Sequence, residues 1–290
     1  VEQKKIGFIL VSLAGACYGS AGVLGKMLMN TGLQPETVVM YRVSLGFLIL
    51  ATAFLILNPT SLKVKLEKIP YLMVCGIVGV VVGILTYFYA VKLISASIAV
   101  ILLYTYPVFA LVLAKIFVGE RITLLKIFAA TLVLVGCFLT VKGYSLTYLK
   151  LTGLGVVFGL ISGFSYSIYM VLSKIMLKDV NEAAVIFYTL GFGSLVLLLI
   201  NLFNQTLLVS LESNVWVLIA LIAIIPTTLA FTFLIFGLKY LEASRASIYS
   251  TFEIVSAILL AFIFLGERLE IFQGLGAILV VFSIFLIYWK

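Results

Sequence analysis

Residues 113–121, LAKIFVGER, return at 260–268 as LAFIFLGER, seven identities in nine positions at a spacing of 147. The same spacing lays Lys92 on Lys239, Ala96-Ser97 on Ala243-Ser244 and Tyr41 on Tyr188. A repeat of that period divides the 290-residue chain into two halves, 1–146 and 147–290. Each copy ends one long apolar run just before another begins. What those runs are decides what the halves are.

The chain is 64% apolar and 10% charged, with a mean hydropathy of +1.31. Soluble domains keep about a quarter of their residues charged, so this is an integral membrane protein made of helices. Apolar stretches of about 20 residues, bounded by charges, Pro or Asn, give ten spans. Their limits are 6–29, 36–57, 70–91, 95–118, 122–142, 151–177, 183–202, 214–238, 243–265 and 270–289. Five spans fall in each half. An odd number forces the second half to cross in the opposite sense, the inverted repeat of secondary carriers that bind substrate near the midplane.

The connections are too short for a soluble domain, so function resides in the spans. The first run, with Lys4-Lys5 before it and Ala14-Gly15-Ala16-Cys17 inside it, imitates a signal peptide, but it continues to Met29 and is expected to be a retained span. Basic residues divide thirteen to five in favour of the side that carries the N-terminus. The positive-inside rule therefore places both termini in the cytoplasm and the protein in the cytoplasmic membrane as a multi-pass chain.

The net charge of +8 is scattered singly among apolar runs, which suits lipid headgroups and not nucleic acid. There is no His, and Cys17, Cys75 and Cys137 lie within apolar runs, so no metal site, disulfide or cofactor is indicated. No nucleophile and base pair points to an enzyme, and no catalytic residue is assigned. The inversion puts the two Gly-Glu-Arg copies on opposite faces, which argues against one common partner. A tight turn, with Gly supplying backbone freedom and Glu and Arg anchoring the helix ends, accounts for both.

The stretch Pro107-Val-Phe-Ala followed by Gly119-Glu120-Arg121, its second copy, the five-plus-five layout and Tyr18-Gly19-Ser20 resemble the EamA family of the drug/metabolite transporter superfamily. The resemblance covers essentially the whole chain. It implies a carrier of small organic metabolites such as amino acids; relatives in the superfamily move nucleotide sugars, nucleosides or organic cations. It also implies a central cavity lined by spans 1, 3, 4, 6, 8 and 9, with spans 5 and 10 outside. Two positions depart from the family pattern: Tyr18 replaces a common Trp, and Ile254 replaces a Pro that commonly follows the acidic residue. Without that Pro, span 9 is expected to be less kinked.

Glu253 is the first candidate site residue. At roughly 1.5 Å per residue it stands about 16 Å from either end of span 9, where a carboxylate costs at least a few kcal/mol unless protonated, paired or wet. It is expected to bind a proton or a cationic substrate head; a hydrogen bond that only bridges helices is the plainer alternative. On a continuous helix, Tyr249 and Ser256 share its face. Arg42, inside span 2, either counters an anionic group or serves structure, and Lys26 is expected to snorkel. Spans 1 and 6 offer repeat-related faces, Gly15, Tyr18, Gly19, Gly22 and Lys26 against Ser162, Ser165, Tyr166, Tyr169 and Ser173, read here as lining a space. Spans 3 and 4 add Tyr87, Tyr104 and Tyr106, with Pro107 as a kink near mid-membrane. Tyr106 is the repeat mate of Glu253 and is expected to face it across the pseudo-twofold axis.

Tyrosines beside a buried acid suit a cation or zwitterion with an apolar body. An alternating-access carrier of an amino acid or organic amine, with or without proton coupling through Glu253, is the leading expectation. A carrier or exchanger of anionic metabolites such as nucleotide sugars is the alternative, and a membrane enzyme is weaker still. The expected partners are a small-molecule substrate, the lipid bilayer and, if coupled, protons; monomer and homodimer both remain open.

Overall fold

Backbone groups in hydrocarbon have no water to bond, so apolar runs of this length close their hydrogen bonds internally as helices. The structure, a computed structural model, describes residues 2–94, 96–143, 152–206, 211–265 and 270–289. Among them are ten membrane helices, numbered here as the spans. They are α1 (Glu2–Tyr18 and Ser20–Asn30), α2 (Pro35–Leu57), α3 (Ile69–Val74 through Gly83–Leu93), α4a (Ala96–Leu103), α4b (Tyr106–Val118), α5 (Leu124–Thr140), α6 (Gly153–Met176), α7 (Glu182–Phe203), α8 (Ser213–Ala223 through Ala230–Leu238), α9a (Ala243–Ser250), α9b (Phe252–Leu265) and α10 (Ile271–Tyr288). Nine of the ten are long and apolar enough to cross a membrane, and α5, with 17 residues, is the shorter tenth. No strand occurs among the described residues.

Large apolar side chains such as Leu48, Ile56, Leu57, Ile263 and Phe264 stand exposed on the outside. In water such a surface would aggregate; in lipid it is the expected solvent-facing side. Inside, large apolar side chains fill the core and small residues bring helix backbones together at particular crossings. Gly136 of α5 and Gly276 of α10 pack on each other's carbonyls, and a Cβ on Gly276 would come within 2.5 Å of the Gly136 oxygen. Close approach of this kind drives helix association where no hydrophobic force operates.

Four interruptions, paired by the 147-residue spacing, depart from regular α-helix. In α3 residues Cys75–Val82, and in α8 residues Ile224–Leu229, wind as wider π-helix, and the two segments end at repeat-equivalent positions. α4 breaks at Tyr104-Thr105 and α9 at Thr251, again 147 apart. The break in α4 has the expected cause. Pro107 has no N–H to return to Leu103, and Gly163 of α6 lies against that freed carbonyl, where a Cβ would sit 2.7 Å from it.

The break in α9 corrects the expectation that Ile254 leaves this span less kinked. The Thr251 hydroxyl donates to the Ile248 carbonyl at 2.6 Å, a local bond that competes with the helix. On the other side α1 presses in through Gly15, where a Cβ would stand 2.6 Å from the Ser250 carbonyl and 3.1 Å from the Glu253 nitrogen. A packed neighbour and a threonine thus do in α9 what a proline does in α4.

Candidate functional site

Because α9 restarts at Phe252, Glu253 lies in the first turn of α9b, where a helix N-terminus favours negative charge. Its repeat mate Tyr106 is the first residue of α4b, so each of the two residues stands at the start of a half-helix. The Arg42 guanidinium and the Tyr104 hydroxyl act on the Glu253 carboxyl. Tyr18, Tyr87, Tyr106 and Tyr166 also lie within its electrostatic reach.

Arg42, only 6% exposed, is held from α8. Its Nε donates to Thr227 Oγ1 at 2.9 Å and its Nη2 to the Pro226 carbonyl at 2.8 Å. The wide turn of α8 makes this possible. Pro226 donates no backbone bond, and the hydroxyls of Thr227 and Thr228 reach back to the Ile222 and Ala223 carbonyls at 3.0 and 2.9 Å. The arginine therefore has a structural role, clamping α2 to α8, and also presents positive charge to Glu253.

Aromatic rings wall the centre. Tyr106 meets Tyr166 edge to face at 4.7 Å between centroids, Tyr166 stacks on Tyr169 at 6.2 Å, and Tyr104 lies 5.7 Å from Tyr106. Phe231 of α8 completes the ring, 5.9 Å from Tyr18 and 5.5 Å from Tyr169. The Tyr106 hydroxyl shares a 2.7 Å hydrogen bond with Ser250 Oγ. The buried hydroxyl of Tyr166 lies beside those of Tyr18 and Ser250, and that of Tyr169 beside Ser173.

Glu253, Arg42, Tyr18, Tyr87, Tyr104, Tyr106, Tyr166 and Tyr169 are thus brought together, with Pro107 at the α4 break beside them. Three other sequence candidates are not. Tyr249 was placed on the face of Glu253 by continuous helical spacing, but the break at Thr251 intervenes. Its ring packs on Phe8 at 5.0 Å, and Arg245 and Tyr288 are its other neighbours. Ser256 turns to α1, donating to the Glu253 carbonyl at 3.0 Å and the Gly15 carbonyl at 3.4 Å. Ser165 is buried against Gly83 of α3. Gly15 and Gly19 likewise pack on α9 and do not line a space, whereas Gly22 meets nothing within 4 Å.

Ser250, Thr227, Pro226 and Phe231 escaped the sequence reading. Cys137 of α5 also comes within electrostatic reach of Glu253, although the resemblance left span 5 outside the cavity.

The Gly119-Glu120-Arg121 turn is more than a turn. Gly119 takes the left-handed conformation at φ 79°, ending α4b. Glu120 then reaches the other half and caps α9a, accepting from Ala243 N at 2.7 Å, Ser244 N at 3.1 Å and the Ser244 hydroxyl. The second copy of the motif lies outside the described residues.

The model of the EamA-like transporter family matches residues 5–142 and again 153–289. The chain belongs to the EamA-like transporter family. This EamA-type chain is 29% identical over 272 residues to an uncharacterized transporter of Archaeoglobus fulgidus, covering 93% of this chain and 92% of that one. It is 26% identical to the transporter YcbK of Bacillus subtilis, covering 95% and 92%. The pseudopaline exporter CntI of Pseudomonas aeruginosa is 27% identical over 145 residues, about half of each chain at 50% and 49%. A solved crystal structure shares the fold, with a TM-score of 0.83, 17% identity and coverage of 98% and 96%. As an EamA-type protein it is a multi-pass membrane transporter and not an enzyme.

Proposed function

We propose that the chain is an alternating-access carrier of a small zwitterionic or cationic metabolite, an amino acid or organic amine, in the cytoplasmic membrane with both termini in the cytoplasm. The observation that carries this reading is that Arg42 and Glu253 lie in the interior within electrostatic reach of each other, among aromatic rings. A substrate ammonium pairs with Glu253 and stacks on tyrosine faces, a substrate carboxylate is drawn to Arg42, and the buried tyrosine hydroxyls supply further bonds. Binding beside two broken helices lets each half rock without dismantling the site. One relative is named an exporter, which favours efflux.

Glu253 is also the proton-coupling residue in this reading. A carboxyl that holds either a proton or an ammonium exchanges one for the other in each cycle. Counterflow in proteoliposomes tests both parts. Saturable exchange of an amino acid or amine supports the carrier, and its absence across a broad panel overturns the substrate class. Glu253→Gln is expected to abolish accumulation driven by a pH gradient while exchange persists. Normal accumulation by that variant would remove the coupling role.

A second reading, a carrier of anionic metabolites such as nucleotide sugars, is favoured by the buried Arg42 charge together with the α4b N-terminus. The same counterflow panel separates the two.

A further inference from the structure

Inverted repeats invite a comparison of contacts that the 147-residue spacing should make equivalent. α4b corresponds to α9b, and α9a to α4a. α9a packs along α4b on the side of the membrane that carries the N-terminus. Their mates, α4a and α9b, have no comparable packing on the opposite side among the described residues. Among the described residues the seam between spans 4 and 9 is therefore closed at one end of the bundle and not at the other.

The closed seam is fastened at both ends. At the centre is the bond between Tyr106 and Ser250, which joins the start of α4b to the end of α9a. At the membrane surface is Glu120, whose carboxylate takes both N–H groups at the head of α9a and the Ser244 hydroxyl. Lys126 of α5, 3% exposed, stands behind it. Its Nζ lies 3.8 Å from Glu120, bonds Glu242 at 3.0 Å and donates to the Arg121 carbonyl at 3.1 Å. Glu120 and Lys126 belong to the first half; Glu242, Ala243 and Ser244 belong to the second.

We infer that Glu120 locks the gate on the N-terminal side, acting as a helix cap lent by one half of the transporter to the other. Opening toward that side means drawing α9a off α4b, which strips three hydrogen bonds from one carboxylate and uncaps a helix in a single step. Closure restores them together. The bonds reach only the gating helix, so the lock sets which side is open without touching the central site. This inference rests on the alternating-access reading above. Glu120 is a positioning residue, acting on substrate access through α9a.

Single-cysteine reporters test it without any substrate. Cys17, Cys75 and Cys137 are replaced, and one cysteine is placed either at Ser247, fully buried on α9a, or at Gly22, exposed near the centre with nothing within 4 Å. Each is labelled by an impermeant thiol reagent from one side of sealed vesicles. Glu120→Gln is expected to raise labelling of the Ser247→Cys reporter from the N-terminal side at least about tenfold, and Ser244→Ala less. Labelling of the Gly22→Cys reporter from the far side is expected to fall in step, because a population moved to one state leaves the other.

Unchanged labelling at position 247 in both variants overturns the lock. So does a rise at 247 without the fall at 22, because that pattern is general loosening and not a transfer between two states. Counterflow present with no accessibility response removes the lock and leaves the carrier standing. The reciprocal shift without counterflow removes the carrier reading and leaves the lock.

Discussion

Tyr106 and Ser250 share a 2.7 Å hydrogen bond between two helices from opposite halves, one beginning and the other ending at that point. Both side chains are buried, Tyr106 at 1% exposure and Ser250 at 0%. Tyr106→Phe leaves Ser250 with its local bond to Ser247, and Ser250→Ala leaves a tyrosine hydroxyl stranded. Each single variant is expected to lose about 1–3 kcal/mol, and the double variant less than the sum of the two. Denaturation in detergent, run as a four-corner cycle, measures this; strict additivity would show that the bond contributes nothing.

Gly15 and Gly22 sit on one helix with opposite demands. Gly15→Ala forces a methyl to 2.6 Å from the Ser250 carbonyl, whereas Gly22→Ala enters open space. The first is expected to cost about 1–3 kcal/mol as overpacking, lowering the melting temperature and the transport rate. The second is expected to leave the melting temperature unchanged.

Arg42→Lys cannot reproduce a two-point grip, because a single ammonium replaces the Nε and Nη2 that reach Thr227 and Pro226. Arg42→Ala is expected to be worse, leaving Glu253 without that positive charge. Adding Glu253→Gln to Arg42→Ala is expected to restore part of the lost melting temperature, as removing an orphaned charge should. No recovery would show that the two residues are energetically independent.

Acid should weaken the N-terminal side. Burial pushes the Glu242 carboxyl up, but hydrogen bonds and charge from Lys126 and Arg245 outweigh it and hold the carboxyl below its ordinary value. A depressed carboxyl stabilises the fold above its unfolded value of about 4.3 and loses that contribution as pH falls through the lowered folded value. Wild-type melting is therefore expected to drop below about pH 4 more steeply than that of Glu242→Gln. Parallel curves would mean that the ion cluster carries no stability.

The ten spans were legible because a membrane segment must be long and apolar, and their observed ends lie within a few residues of the expected ones. The gathering of Glu253, Arg42 and the tyrosines was legible too, since polar groups in apolar runs stand out. What failed was orientation along α9. Assigning Tyr249 to the face of Glu253 assumes unbroken winding, and the break at Thr251 is made by Gly15 on another helix, which no local pattern announces. Phe231 failed for the opposite reason, as an apolar ring in an apolar span has no contrast. The reach of Glu120 to Ser244 was hidden because the motif was judged by its two copies together, whereas its partner belongs to the other half.

The wide turns of α3 and α8 carry a last consequence. A π-turn is one residue more than an α-helix needs, and removing that residue would swing every side chain beyond it by about 100°. In α3 that would carry Tyr87 away from Glu253; in α8 it would carry Phe231 out of the ring. The surplus residue occurs at equivalent places in both halves. Loss of one residue from either turn is therefore expected to disarrange the site without removing any side chain from it.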